Sequence, residues 1–328
     1  MIRLGQPVSL LFRASQRLSW FCICALIAGV AVAQAPPRLA EFAQGEPQGK
    51  PIADQEPITP IPPPPAADPL KLALGERLFA DPRLSADGKR ACSSCHDLRT
   101  NGAGGNRNGS SPFDTLTVFN ASLNYRLNWE GNFRSLAAQA EASLENPVNL
   151  HTSVDEVVGK LNADPASVSQ FRAAYGRAPD RDNFIDALVT FERSLVTPGS
   201  RLDRWLGGDA SALSAGELEG YRLFKSFGCS SCHQGTNVGG NLFERQGIFH
   251  PLVRGQPERV RVPSLRNVAE TAPYFHDGSA ATLEDAVRRM AAAQLDRTLT
   301  DEQVASLVAF LQTLTGNYRG SPVTGAAP

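Results

Sequence analysis

The sequence predicts a mainly α-helical fold built as two domains. Apolar residues recur at helical spacing through most of the chain, and patterns typical of β-strands are scarce. The pentapeptide Cys-Ser-Ser-Cys-His occurs at 92–96 and again at 229–233. A chain of 328 residues can form two domains of ordinary size, so we expect each half to carry one copy.

The N-terminus has the pattern of a secretory signal peptide. Arginines precede an apolar run over residues 20–33, which ends in Ala31-Val32-Ala33, and no acidic residue occurs before Glu41. We therefore expect residues 1–33 to be a cleaved leader. The run is short for a membrane span, which needs about 20 apolar residues, and an uncleaved anchor is the alternative.

Residues 34–68 are rich in proline and lack apolar periodicity, which predicts an extended tether outside any core. Folded structure should begin near Pro69, with a helix over residues 70–80. We place the N-terminal domain at 69–205, the C-terminal domain at 206–320 and a tail at 321–328.

Several later helices carry N-terminal capping signatures. The S/T-x-x-E/Q pattern occurs in three pairs: Ser153 with Glu156, Ser214 with Glu217, and Thr300 with Gln303. Apolar stripes at 184–191 and 304–314 are typical of helices that face a core. Gly102, Gly104, Gly105 and Gly109 predict a loop rather than a dinucleotide site, because no strand precedes them.

The repeated pentapeptide is typical of covalent attachment of haem c, in which two thiols bind the porphyrin and the histidine binds the iron. The residues concerned are Cys92, Cys95, His96, Cys229, Cys232 and His233. A redox dithiol does not need the histidine, and a zinc site needs all four ligands in one shell. Exported haem-attached cysteines fit a bacterial periplasm.

Few other iron ligands are available, and net charge suggests no polyanionic partner. Met290 is the single methionine after Met1, in a predicted helix whose face includes Leu283, Ala286 and Val287. It is either a haem ligand or ordinary core. The formal net charge of −1 gives no reason to expect nucleic acid as a partner.

The chain resembles the bacterial di-haem cytochrome c peroxidases over roughly residues 69–316. The resemblance is carried in the C-terminal half by 228–233, 261–268, 271–278 and Met290, and in the N-terminal half by 78–85, 117–120 and 129–131. It implies two cytochrome c-like domains that each hold one haem c. It also implies reduction of hydrogen peroxide with electrons from a small cytochrome c or cupredoxin, and a homodimer as in many members.

The resemblance assigns roles by position. The first haem, bound by His96, is the peroxide site, and the second, bound by His233 and Met290, receives electrons. Trp129 matches a tryptophan between the haems, Gln139 a distal-pocket glutamine, and Arg261 an inter-haem arginine.

The resemblance further implies a calcium ion held by Asp114, Thr271 and Pro273. Asp114 replaces the usual asparagine, and a carboxylate serves this cation equally well. The alternative for Asp114 is a turn residue.

Two departures affect the first haem. No histidine occurs between Asp97 and Leu150, so the distal histidine of many members is missing and we expect an open iron in every redox state. The distal glutamate position falls on Asn149, whose amide orients peroxide but does not shuttle a proton in the same way. Candidates for that proton transfer are His151, Glu145 and Glu141, unless His151 is only an exposed loop residue.

Three functions remain open at this level. The first is a periplasmic peroxidase. The second is a protein-modifying oxidant like the methylamine dehydrogenase maturation enzyme, which has tyrosine where this chain has Met290. The third is a di-haem electron carrier or sensor without catalysis, which two six-coordinate irons would favour.

Overall fold

A computed structural model describes residues 55–104, 113–253 and 257–325. Within these ranges the chain forms nine α-helices and two short antiparallel hairpins, so the prediction of a mainly α fold is confirmed. None of the described helices is both long and apolar enough to cross a membrane. The predicted leader at 1–33 and the glycines at 105 and 109 lie outside the described residues.

The N-terminal helices are α1 (Pro69–Phe79), α2 (Leu136–Glu145), α3 (Val154–Asn162), α4 (Pro165–Tyr175) and α5 (Arg181–Ser194). Helix α1 begins where Asp68 accepts hydrogen bonds from the backbone N–H groups of Leu70 and Lys71, with Pro69 at the first helical position. The predicted helix at 70–80 is thereby confirmed.

The C-terminal half contains α6 (Arg201–Leu206), α7 (Ala215–Ser226), α8 (Leu283–Leu295) and α9 (Asp301–Gln312). Its hairpins are β1 (Phe243–Arg245) with β2 (Arg259–Arg261), and β3 (Asn317–Tyr318) with β4 (Ser321–Pro322). The three predicted capping boxes are present at the starts of α3, α7 and α9, where each reciprocally satisfies two backbone N–H groups.

Each domain is built on a crossing of two helices at a glycine. A Cβ atom at Gly75 of α1 would clash with the carbonyl oxygen of Ala187 on α5, and one at Gly220 of α7 would clash with that of Ser306 on α9. One turn further along, phenylalanines pack at both crossings: Phe79 on Phe191 and Phe224 on Phe310, with ring centroids 5.4 and 5.1 Å apart. The two domains therefore share one scaffold.

The segments that lead into α2 and α8 repeat the same backbone, displaced by 147 residues. Positive φ angles occur at Asn120 and Asn267 (61° and 58°) and at Gly131 and Gly278 (66° and 68°). Isolated antiparallel bridges join Leu127 to Phe133 and Tyr274 to Ala280. Side chains of both asparagines hydrogen-bond Thr197 Oγ1, at 2.8 and 3.0 Å, so the two copies meet at this threonine.

The proline-rich segment departs from its prediction as a tether. Ile58 and Ile61 are 0% and 5% exposed, and Ile58 belongs to the C-terminal core. Hydrogen bonds to its backbone carbonyls fix the segment there: Gly235 N–H donates to Pro57 O, and the Arg266 side chain donates from Nη2 to Thr59 O. The prediction was wrong for residues 57–61, because two isolated isoleucines and backbone carbonyl acceptors make no periodic apolar pattern in the sequence.

Both ends of the C-terminal domain also differ from the expected boundaries. The boundary placed between 205 and 206 lies inside α6, whose Leu202 and Leu206 belong to the C-terminal core. In the predicted tail, Val323 is 4% exposed and packs with Phe79 and Phe119 of the N-terminal domain. Val323 is thus part of that core, where it helps to cover the two phenylalanines.

Candidate functional site

Each Cys-Ser-Ser-Cys-His motif folds into one turn of 3₁₀ helix, over Cys92–Ser94 and Cys229–Ser231. The histidine that follows closes each turn, because its N–H donates to the carbonyl of the first cysteine at 3.0 Å in both copies. The four thiols are free in the structure. Both motifs therefore present their cysteines and histidine from the same compact turn.

The two histidine rings are anchored alike. His96 Nδ1 lies 3.0 Å from Gly102 O, and His233 Nδ1 lies 3.3 Å from Val238 O. Burial lowers the pKa of both imidazoles, that of His233 to about 4. A neutral ring held through Nδ1 can use Nε2 for iron, so both donors fit a haem.

The cysteine surroundings argue against the alternative metal and redox sites. Burial raises the pKa of the Cys92 thiol to about 12 and that of Cys229 to about 11, whereas redox dithiols need a lowered pKa. Among the described residues, no three His, Cys, Asp or Glu side chains group as a metal site. A zinc centre shared by the motifs is excluded there.

An apolar cavity of about 560 Å³ lies beside the second motif. His233 and Cys229 line it together with Met290, and the predicted apolar face of α8 (Leu283, Ala286, Val287) lines it too. The lining continues past Trp129 to residues 101–104 after the first motif.

Arg261 supplies this cavity with a buried cation. Its side chain is 3% exposed, and its Nη1 has no hydrogen-bond partner among the described residues. Burial lowers the pKa of the guanidinium to about 10. A buried, unsatisfied guanidinium needs an anionic acceptor, and a haem propionate meets that need, so the cavity fits the cofactor.

Trp129 joins the two domains. Its carbonyl accepts the backbone N–H of Arg261 at 2.7 Å, and its Nε1 donates to Asp114 O at 2.9 Å. The carbonyl of His276 accepts the N–H of Asp114, also at 2.7 Å. The His276 ring meets the indole edge-on, with centroids 6.2 Å apart. Trp129 thus contacts residues of both domains, and its role between the haems stays a prediction.

Asp114, Thr271 and Pro273 line the same cavity. The Asp114 carboxylate lies against Pro273 and Gly278, since a Cβ added at Gly278 would be 2.6 Å from Asp114 Oδ2 and 3.1 Å from Pro273 Cγ. The Thr271 hydroxyl donates to Val268 O. One carboxylate and two carbonyls are oxygen donors of the kind that calcium takes.

The residues predicted for the distal pocket lie on α2 and the loop after it. Gln139 is half-buried, and its Nε2 donates to Ser143 Oγ at 2.9 Å. Asn149 and His151 are exposed, with backbone N–H groups that donate to Asn146 O. Glu145 is exposed, and Glu141 pairs with Arg181. None of these residues lines the large cavity, so their roles remain predictions.

Sequence reasoning missed three residues at these sites. Ser143 bonds Gln139, and His276 is 5% exposed with an Nδ1 that has no partner among the described residues. Glu192 has a buried Oε2 without a partner there, and burial raises the pKa of this carboxyl to about 8. The signal for His276 was the 147-residue repeat, which pairs Trp129 with His276.

Comparison with known proteins identifies the family. The profile of di-haem cytochrome c peroxidases matches residues 69–211, and that of cytochrome c matches 218–315. Cytochrome c551 peroxidase of Nitrosomonas europaea is 39% identical over 81% of this chain and 86% of its own length. The chain belongs to the di-haem cytochrome c peroxidase family.

Relatives of this di-haem cytochrome c peroxidase also include proteins with other names. Methylamine utilization protein MauG of Methylorubrum extorquens is 32% identical over 77% of this chain and 81% of its own. A solved MauG-like protein associated with microbial copper homeostasis matches with a TM-score of 0.66 and 27% identity, over 78% of this chain and 93% of that one. As a family member, the protein is a di-haem oxidoreductase with two haem c groups.

Proposed function

We propose that the protein is a periplasmic peroxidase that reduces hydrogen peroxide to water with electrons from a small cytochrome c or cupredoxin. Each peroxide takes up two electrons and two protons and yields two water molecules. The proposal is supported by the names of its relatives and by the leader pattern at residues 1–33.

One observation supports different roles for the two haems. Met290 and His233 line one apolar cavity, which suits a closed His/Met iron that transfers electrons. Helix α2, at the corresponding place in the N-terminal domain, contains neither methionine nor histidine. The first haem, attached through Cys92, Cys95 and His96, is then the one with an open face. Haem supplies the redox chemistry when bound.

The chain's own residues orient substrate and electron path around that open face. We assign to the Gln139 amide the contact with a small ligand on the α2 side, and to the Asn149 amide the orientation of peroxide. His151 is the proposed proton-transfer group because imidazole is the side chain best suited to proton exchange near neutrality. Trp129 lies between the domains, where electrons must cross.

Steady-state turnover of hydrogen peroxide with reduced cytochrome c tests this proposal, with a reduced cupredoxin as second donor. We expect turnover, a wild-type ferric spectrum with one high-spin and one low-spin haem, and a mature N-terminus after Ala33 in periplasmic extracts. A ferric spectrum that is low-spin at both irons would contradict the open first haem. Replacing His151 by Ala without loss of turnover would remove it from the mechanism.

The second candidate function is oxidation of a partner protein, as for the related MauG. Asn149 at the usual glutamate position weakens the assignment to ordinary peroxide turnover, because an amide does not shuttle the proton that peroxide cleavage needs. High-spin haem without turnover of peroxide by small donors would support this candidate.

Sedimentation of the holoprotein tests the proposed homodimer. Calcium occupancy is tested by the chelation experiment described in the Discussion.

A further inference from the structure

The internal repeat aligns α2 with α8 residue by residue. Both helices begin at a hydroxyl cap, Ser135 or Thr282, whose oxygen accepts the N–H three residues later. Both caps follow the bridge and positive-φ glycine described above, at the same interval of 147 residues. In this register Met290 is the eighth residue of α8 and Ser143 is the eighth residue of α2.

The packing of the two helices agrees with this register. Helix α2 contacts α5, and α8 contacts α9. Helices α5 and α9 are each one of the two helices that cross at a glycine in their own domain. Phe79 lies 6.5 Å from the His96 ring, and Phe224 lies 6.4 Å from the His233 ring, between centroids. The motif histidines therefore hold matching places beside the helix crossings of the two domains.

The chemistry of the two matching residues differs in reach and polarity. In methionine the sulfur is the third atom from Cα, whereas the serine oxygen is only the second. If α2 and α8 lie at the same distance from their irons, methionine on α8 reaches its iron, whereas serine on α2 leaves a gap. Ser143 Oγ already accepts from Gln139 Nε2 at 2.9 Å, which leaves its own proton free to donate.

We propose that Ser143 faces the open side of the first haem and, with Gln139, forms the polar contact for the small oxygen ligand bound there. The gap that serine leaves is the room for peroxide, and its hydroxyl donates to the ligand. This inference rests on the proposed function, in which the first haem is the open one.

Replacing Ser143 by Met in the holoprotein tests the register directly. We expect Ser143→Met to convert the first haem to a six-coordinate low-spin iron, with loss of the ferric high-spin signal in EPR and optical spectra and of fluoride binding. Ala138→Met adds a methionine to the exposed side of the same helix, and it should leave both signals unchanged. In the opposite direction, Met290→Ser should produce a second high-spin iron.

A subtler variant tests the hydrogen bond and does not depend on how methionine is accommodated. Ser143→Ala should keep the high-spin signal and weaken fluoride binding to the ferric iron about tenfold, the usual loss for one hydrogen bond to an anion. Folding is checked by circular dichroism and haem content by pyridine haemochrome.

The outcomes separate this inference from the proposed function. A folded, fully haem-loaded Ser143→Met protein that stays high-spin, or unchanged fluoride affinity in Ser143→Ala, overturns the role of Ser143 even if peroxide turnover is normal. Wild-type protein that has high-spin iron but no turnover rejects the peroxidase reaction, while the spectral result for Ser143 stands.

Discussion

The two domains share one scaffold and differ in the side chains that their matching positions carry. Glycine crossings, anchored motif histidines and the 147-residue repeat are common to both. At equivalent places, however, the N-terminal domain has Ser143 where the other has Met290. The same interval pairs Asp114 with Arg261 and Trp129 with His276. Two domains with the same scaffold thus place different side chains at a few matching positions.

A further difference lies on the crossing helices. The glycine contacts align α5 with α9 at an interval of 119 residues, from Ala187 to Ser306 and from Phe191 to Phe310. In that register Glu192 matches Leu311, which lines the cavity beside the second motif. One domain therefore places a buried carboxyl where the other places an apolar side chain.

The largest effect should come from changing the ligand that distinguishes the second haem. Replacing Met290 by His keeps six coordination but removes the thioether, and we expect the midpoint potential of that haem to fall by roughly 200 mV or more, within the span of about 0.8 V that axial ligands set. Spectroelectrochemical titration measures it. Arg288→Ala, on the exposed side of α8, is the control. An unchanged potential would show that Met290 does not bind the iron.

Changing the contact between the domains should come next. Trp129→Phe keeps an aromatic ring but removes the N–H that donates to Asp114 O. We expect turnover with reduced cytochrome c to fall roughly tenfold or more, and electron transfer between the haems to slow in stopped-flow experiments. Trp205→Phe, in the C-terminal core against Tyr221, is the matched control. Equal effects of the two variants would reduce Trp129 to a packing residue.

The sequence alone predicts the parts of the site that depend on a local residue pattern. Cys-Ser-Ser-Cys-His specifies its turn locally, and the face of α8 with Met290 follows from helical spacing. The role of Trp129 and the calcium candidates came only through the resemblance. Ile58 escaped detection because its burial depends on partners 140 or more residues away, such as Leu202 and Leu206. The repeat escaped detection because only scattered positions keep their residue type, such as Gly131 with Gly278, whereas the left-handed positions Asn128 and Phe275 differ.

The 147-residue interval pairs Arg261 with Asp114, so the C-terminal copy carries a guanidinium where the N-terminal copy carries a carboxylate. Asp114 lines the cavity with Thr271 and Pro273, and a carboxylate is an oxygen donor of the kind that calcium takes. We expect calcium to stabilise the wild-type holoprotein by about 2.7 kcal/mol at 100 times its Kd, and Asp114→Ala to abolish that effect. Asp114→Asn, which keeps an oxygen donor, should retain most of it. Thermal unfolding with calcium or with EGTA measures the shift, and an equal response of all three proteins would exclude this site.

The smallest expected effect, counted per pH unit, concerns Glu192. Burial raises the pKa of this carboxyl from 4.5 to about 8, so the folded protein holds its proton between those values while the unfolded chain has released it. The folded state then binds more protons, and its free energy of unfolding falls as pH rises from about 4.5 to about 8, by at most about 1.4 kcal/mol per pH unit, the value for one proton. Glu192→Gln removes this titration and should flatten the slope.

Guanidinium unfolding of the holoprotein across that pH range measures the slope of each variant. Asp182→Asn, at an exposed position on the same helix, should leave it as in wild type. Parallel plots of the free energy of unfolding against pH for wild type and Glu192→Gln would mean that the bound haem or another group pairs with the carboxyl. In that event Glu192 would be ionised beside the first haem, and its loss should instead raise the midpoint potential of that iron, because a nearby negative charge stabilises the ferric form.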